Sequence, residues 1–106
     1  MSEQWTRLRE WVESPLVQGE DESISYLLDV SEWGSDPTGI TVVVKDEDGV
    51  DVTGTVTTGS PSQYTETVIQ LPFIHSLTAG EQYRVEVKFT LSGNILEAYG
   101  HILAEV

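Results

Sequence analysis

The sequence predicts an all-β fold, an antiparallel β-sandwich of about seven short strands behind a short N-terminal arm. Three observations carry this. Apolar and polar residues alternate with a period of two over much of the chain, as in strands with one face in a core and one in water. Turns rich in Gly, Asp, Asn, Ser and Pro recur every 8–12 residues or so. The 106 residues suit one domain and leave no room for a second ordinary core. The expected division is an arm over residues 1–13 and a sandwich over 14–106.

In order along the chain, Trp5, Leu8, Trp11 and Val12 fit either one amphipathic helical turn or an extended arm. A short strand is expected around Val12–Val17, weakened by Pro15 within it. Ile24, Tyr26, Leu28 and Val30 then alternate with polar neighbours. Ile40–Val44 is nearly all apolar, the pattern of a central strand buried on both faces. Val50, Val52 and Val56 alternate with Asp51, Thr53, Thr55 and Thr57 and are expected to form a strand. Tyr64–Leu71 is rich in Thr, Val and Ile and is expected to end at Pro72. The clearest alternation is Tyr83, Val85, Val87, Phe89 and Leu91 against Arg84, Glu86, Lys88 and Thr90. Leu96, Ala98, Ile102, Ala104 and Val106 form the last series. Asp46-Glu47-Asp48-Gly49 and Ser92-Gly93-Asn94 supply tight turns.

Composition narrows the function. With 5 basic and 18 acidic residues the net charge is −13, which opposes binding to phosphate backbones and anionic membranes. The charge is uneven, with 13 acidic and 3 basic side chains before Val52. It fits either an interaction surface or solvation in high salt. There is no Cys, which removes disulfides, thiolate metal sites and Cys nucleophiles. No apolar run approaches the ~20 residues of a membrane-spanning helix, and no apolar stretch follows the first charged residues as in a secretory signal. Synthesis and retention inside the cell are expected, or assembly into a particle there.

Chemistry-bearing motifs are sparse. Asp46, Asp48 and Asp51 surround Gly49 without the spacing or closing Glu of an EF-hand, so they are expected to serve the turn. Glu20-Asp21-Glu22 is expected to be a solvated turn. His75 and His101 have no second ligand at a metal-binding spacing. Ser60 and Ser62 lie outside any nucleophile motif. No catalytic residue, metal or cofactor is therefore expected.

Leu77-Thr78-Ala79-Gly80-Glu81-Gln82-Tyr83 has the form L-x-x-G-x-x-Y just before the best strand. It resembles the tyrosine corner of immunoglobulin-like and fibronectin type III-like sandwiches, in which a Tyr hydroxyl folds back onto upstream backbone. Leu77, Gly80 and Tyr83 are the residues that resemblance assigns to the corner. From about Ser14 onward the chain also resembles small immunoglobulin-like proteins of phage and prophage virions, including fibre-to-tail adaptor-like proteins. Tyr26-Leu27-Leu28-Asp29-Val30-Ser31-Glu32-Trp33, Asp48-Gly49-Val50-Asp51-Val52-Thr53, Leu77–Tyr83 and the final segment Gly93–Val106 carry that likeness.

The resemblance implies a structural virion protein that works through protein–protein contacts and would be virion-associated. Its partners would be itself or other virion proteins, with neither nucleic acid nor membrane. The alternative is a free-standing fibronectin type III-like module that recognises protein or carbohydrate through its loops. Trp33 is expected to pack an end of the sandwich. Trp5, Arg7, Leu8, Arg9 and Trp11 are the candidate interface, because aromatic anchors and Arg concentrate at interfaces. The same arm folded onto its own domain is the competing expectation.

Overall fold

A computed structural model describes residues 16–106 and, as strand backbone, Leu8–Glu10. Two β-sheets pack face to face. In chain order the elements are β1 (Leu8–Glu10), β2 (Leu16–Gly19), β3 (Ile24–Asp29), β4 (Thr38–Lys45), α1 (Thr53–Val56), β5 (Thr57–Thr58), β6 (Ser62–Thr65), β7 (Val68–Ile74), β8 (Gln82–Leu91) and β9 (Asn94–Glu105). The first sheet runs β4-β8-β9, with β1 and β2 sharing the far edge of β9. The second runs β3-β7, with β5 and β6 sharing the far edge of β7. Two edges are thus each built from two short segments, which leaves seven strand positions. This is an all-β sandwich with the layout of an immunoglobulin-like fold.

The core lies between the sheets. Val85, Val87, Phe89 and Leu91 of β8 meet Leu28 of β3 and Ile69, Leu71 and Ile74 of β7. The strict alternation of β8 therefore reads out directly as burial of every second residue. Ser92 and Gly93 both take positive φ, 49° and 84°, the backbone of a two-residue type I′ hairpin. That turn sets Leu91 opposite Asn94, and the whole β8–β9 register follows from it. Trp33 stacks on Phe89 with ring centroids 5.9 Å apart and closes one end of the core.

Five features differ from the expectations. First, the sandwich is not wholly antiparallel, because β1 and β2 both run parallel to β9. The described part of the arm, Leu8–Glu10, is extended and belongs to the sheet. The strand expected at Val12–Val17 is described from Leu16.

Second, Val50–Val56 does not form a strand. Asp51 Oδ1 accepts from both the amide and the hydroxyl of Thr53. Thr53 Oγ1 accepts in turn from Val44 N. These bonds pin one residue pair to β4 and turn the chain into α1. Val52 and Val56 face the core at a helical spacing of four, and Val50 is exposed. Third, Ile40–Val44 lies at a sheet edge, with β8 as its only partner strand among the described residues. Ile40, Val42 and Val44 pack against the core, and Val43 lies half-buried on the outer face opposite Glu86.

Fourth, the Tyr64–Leu71 stretch is the β6–β7 hairpin rather than one strand. Fifth, Pro72 does not end β7 but sits buried within it. It is tolerated because the β3 register shifts opposite it, between Ser25 and Leu27. On the other side it falls between Gln70, paired with β6, and Phe73, paired with β5. No ladder bond requires its missing N–H. Ser25 Oγ donates to the Leu71 carbonyl at 2.7 Å, satisfying the irregular backbone beside the proline.

Candidate functional site

The chemistry-bearing side chains divide into those consumed by the fold and those presented on a surface. Tyr83 is buried, and its hydroxyl accepts from Thr78 N at 2.9 Å. Gly80, at φ 89°, turns the intervening loop, and its amide donates to the Ala104 carbonyl at 2.8 Å. Leu77 is buried beneath that loop. Leu77, Gly80 and Tyr83 therefore form one structural unit that ties the start of β8 to the end of β9.

The acidic turn is consumed in the same way. Asp46 Oδ1 accepts from Asp48 N and Val50 N. The Asp51 carboxyl is held below the usual carboxylate range by the Thr53 hydroxyl first and the Thr53 amide second. Among the described residues no group of three His, Asp or Glu side chains is arranged to hold a metal ion. His75 is tied to Thr58 through Nε2 at 2.7 Å and to Ser76 through Nδ1 at 2.8 Å.

Gln18 is a feature that sequence reasoning passed over. It is completely buried. Its Nε2 donates to the Ile74 carbonyl at 2.7 Å and to the Glu22 carbonyl at 3.0 Å. Its Oε1 accepts from the Tyr26 hydroxyl at 2.8 Å. Burial first, and the Glu22 charge second, push the Tyr26 phenol above its usual value. This amide bonds β2 of the first sheet to β3 and β7 of the second. Its one sequence signal is position: parity along β2 places a polar side chain on the same inward face as Leu16.

The surface that remains is the outer face of the first sheet. The ladders β4–β8 and β8–β9 set Lys45, Arg84 and His101 side by side in one row. Glu86 and Tyr99 form the next row. Lys45, Arg84 and Lys88 are all the Lys and Arg residues outside the arm, and all three stand on this face. Arg84 Cζ lies 4.1 Å from the Tyr99 ring centroid. Its Nε is buried 2.9 Å from Glu86 Oε2 but does not meet the geometry of a hydrogen bond to it. Charge and the ring, rather than a directed hydrogen bond, hold the guanidinium. Lys45 Nζ lies 3.5 Å from Glu86, and Tyr99 meets His101 edge-on at 5.7 Å. The Asp46–Gly49 turn and Gln82 wall an open depression of about 350 Å³ beside Lys45, Arg84 and His101.

Toward the other end of the same face the character changes. Gln82, Leu103 and Val17 form the row after Arg84 and His101, with Val17 54% and Leu103 38% exposed. Beyond them Glu105 pairs with Gly19. The Glu22 carboxylate folds over Gly19 and accepts from its amide at 2.7 Å. Glu20, Asp21, Glu22 and Glu105 line one depression there.

Of the candidate interface residues, Trp5, Arg7 and Trp11 lie outside the described residues. Leu8 and Arg9 have backbone in β1, alongside Glu97 and Ala98 of their own sheet. No protein-family model and no curated protein matches this chain.

Proposed function

We propose that this chain is a non-catalytic assembly protein of phage or prophage virion type that acts through protein–protein contacts. The observation that carries the reading is the outer face of the first sheet. On a chain of net charge −13, Lys45, Arg84 and Lys88, with Glu86 and Glu97 among them, share one sheet face with two ring side chains and an exposed aliphatic row. The carboxylates and histidine nearest to chemistry are, by contrast, hydrogen-bonded into turns. Virion type is supported by the likeness of Tyr26–Trp33, Asp48–Thr53, Leu77–Tyr83 and Gly93–Val106 to small immunoglobulin-like virion proteins. The sheet edge at β4 favours contact through a face over strand addition. Val52 N and Thr53 Oγ1 bond the outward backbone groups of Val44. At the other end, Gly39 at φ 58° bulges the strand. Both devices blunt an edge against further pairing.

The test is co-expression with the products of the neighbouring genes, followed by affinity purification and sedimentation. A stoichiometric complex, or a defined oligomer, supports the assembly reading. A chain that stays monomeric, captures none of those products and binds a glycan or protein through its loops would replace it with the loop-binding module.

A further inference from the structure

We draw no further inference here: the strongest candidate, the outer face of the second sheet, where Leu27 and Phe73 stand half exposed beside Ser25, Thr58 and Gln70, carries nothing because nothing in the structure shows what covers it.

Discussion

Replacing Gln18 by Leu removes three hydrogen bonds from a side chain with no solvent access. At about 1 kcal/mol net for each bond, the loss is about 3 kcal/mol. Two effects move this figure. The Ile74 carbonyl is fully buried, so losing its 2.7 Å bond belongs at the costly end. The Glu22 carbonyl lies in a turn at the surface and can recover a bond to water, and Leu adds favourable apolar burial. The expected net destabilisation is about 2–4 kcal/mol. In urea, with m near 1.5 kcal/mol/M for a domain of this size, the midpoint should fall by about 2 M. A double-mutant cycle with Tyr26→Phe isolates the 2.8 Å hydroxyl–amide bond and should give a coupling of about 1 kcal/mol. Gln18→Glu is the harsher control, because a carboxylate cannot donate to either carbonyl and sits near Glu22. A Gln18→Leu protein as stable as the parent would refute the reasoning, and would mean that apolar packing alone joins the two sheets at this end.

Four further outcomes follow from the same contacts. Tyr83→Phe should cost about 1 kcal/mol, or about 4–8 °C in melting temperature, through loss of the Thr78 bond; an unchanged melting curve would remove the corner from the stability account. The folded-state phenol of Tyr26 is raised, so its contribution is complete below the unfolded value of about 10 and is lost as pH rises through the folded value. Urea midpoints measured from about pH 9 to 11.5 should therefore fall more steeply for the parent than for Tyr26→Phe. Asp51 is depressed, so its contribution is present above about pH 4 and is lost on acidification through the folded value; Asp51→Asn should flatten the acid limb of the stability curve. Finally, melting temperature should rise between low salt and about 0.5 M NaCl, because screening relieves repulsion within a chain of charge −13; a flat or falling curve would show that self-repulsion is not limiting.

Legibility differed among elements for physical reasons. β8 was readable because its two faces meet different media, core and water, and each residue reports which side it is on. The Val50–Val56 segment misled because Thr is a good strand former and supplied apparent alternation. The informative signals there were Val52 and Val56 four apart and an Asp two residues before a Thr, which together favour a turn into a helix. Ile40–Val44 read as central because apolar residues at an edge strand and at a central strand look alike without the identity of the neighbour. Pro72 read as a terminator because its tolerance depends on a bulge in β3 and a gap between β5 and β6, both properties of partners. The row that joins two cations to a histidine was invisible for the same reason. Lys45, Arg84 and His101 are far apart in the chain, and only inter-strand register brings them together.

The two protective devices on β4 and the charge order on the outer face bear on one question, how an acidic β-sandwich associates without aggregating. Strand edges pair with almost any extended backbone, since main-chain bonds carry little sequence information. Blunting β4 at Gly39 and at Val44 removes that route for the most strand-prone segment in the chain. A sheet face discriminates better, because its rows of side chains have an order and the order fixes direction. On this face Lys88 and Glu97 share one row, Glu86 and Tyr99 the next, Lys45, Arg84 and His101 the third, and Gln82, Leu103 and Val17 the fourth. Their positions depend on the β8–β9 hairpin register, which the Ser92–Gly93 turn sets. A one-residue slip there would turn Arg84 inward and Tyr83 outward, destroying the core and the surface pattern together. The same two-residue turn thus governs both the stability of the sandwich and the specificity of the surface it presents.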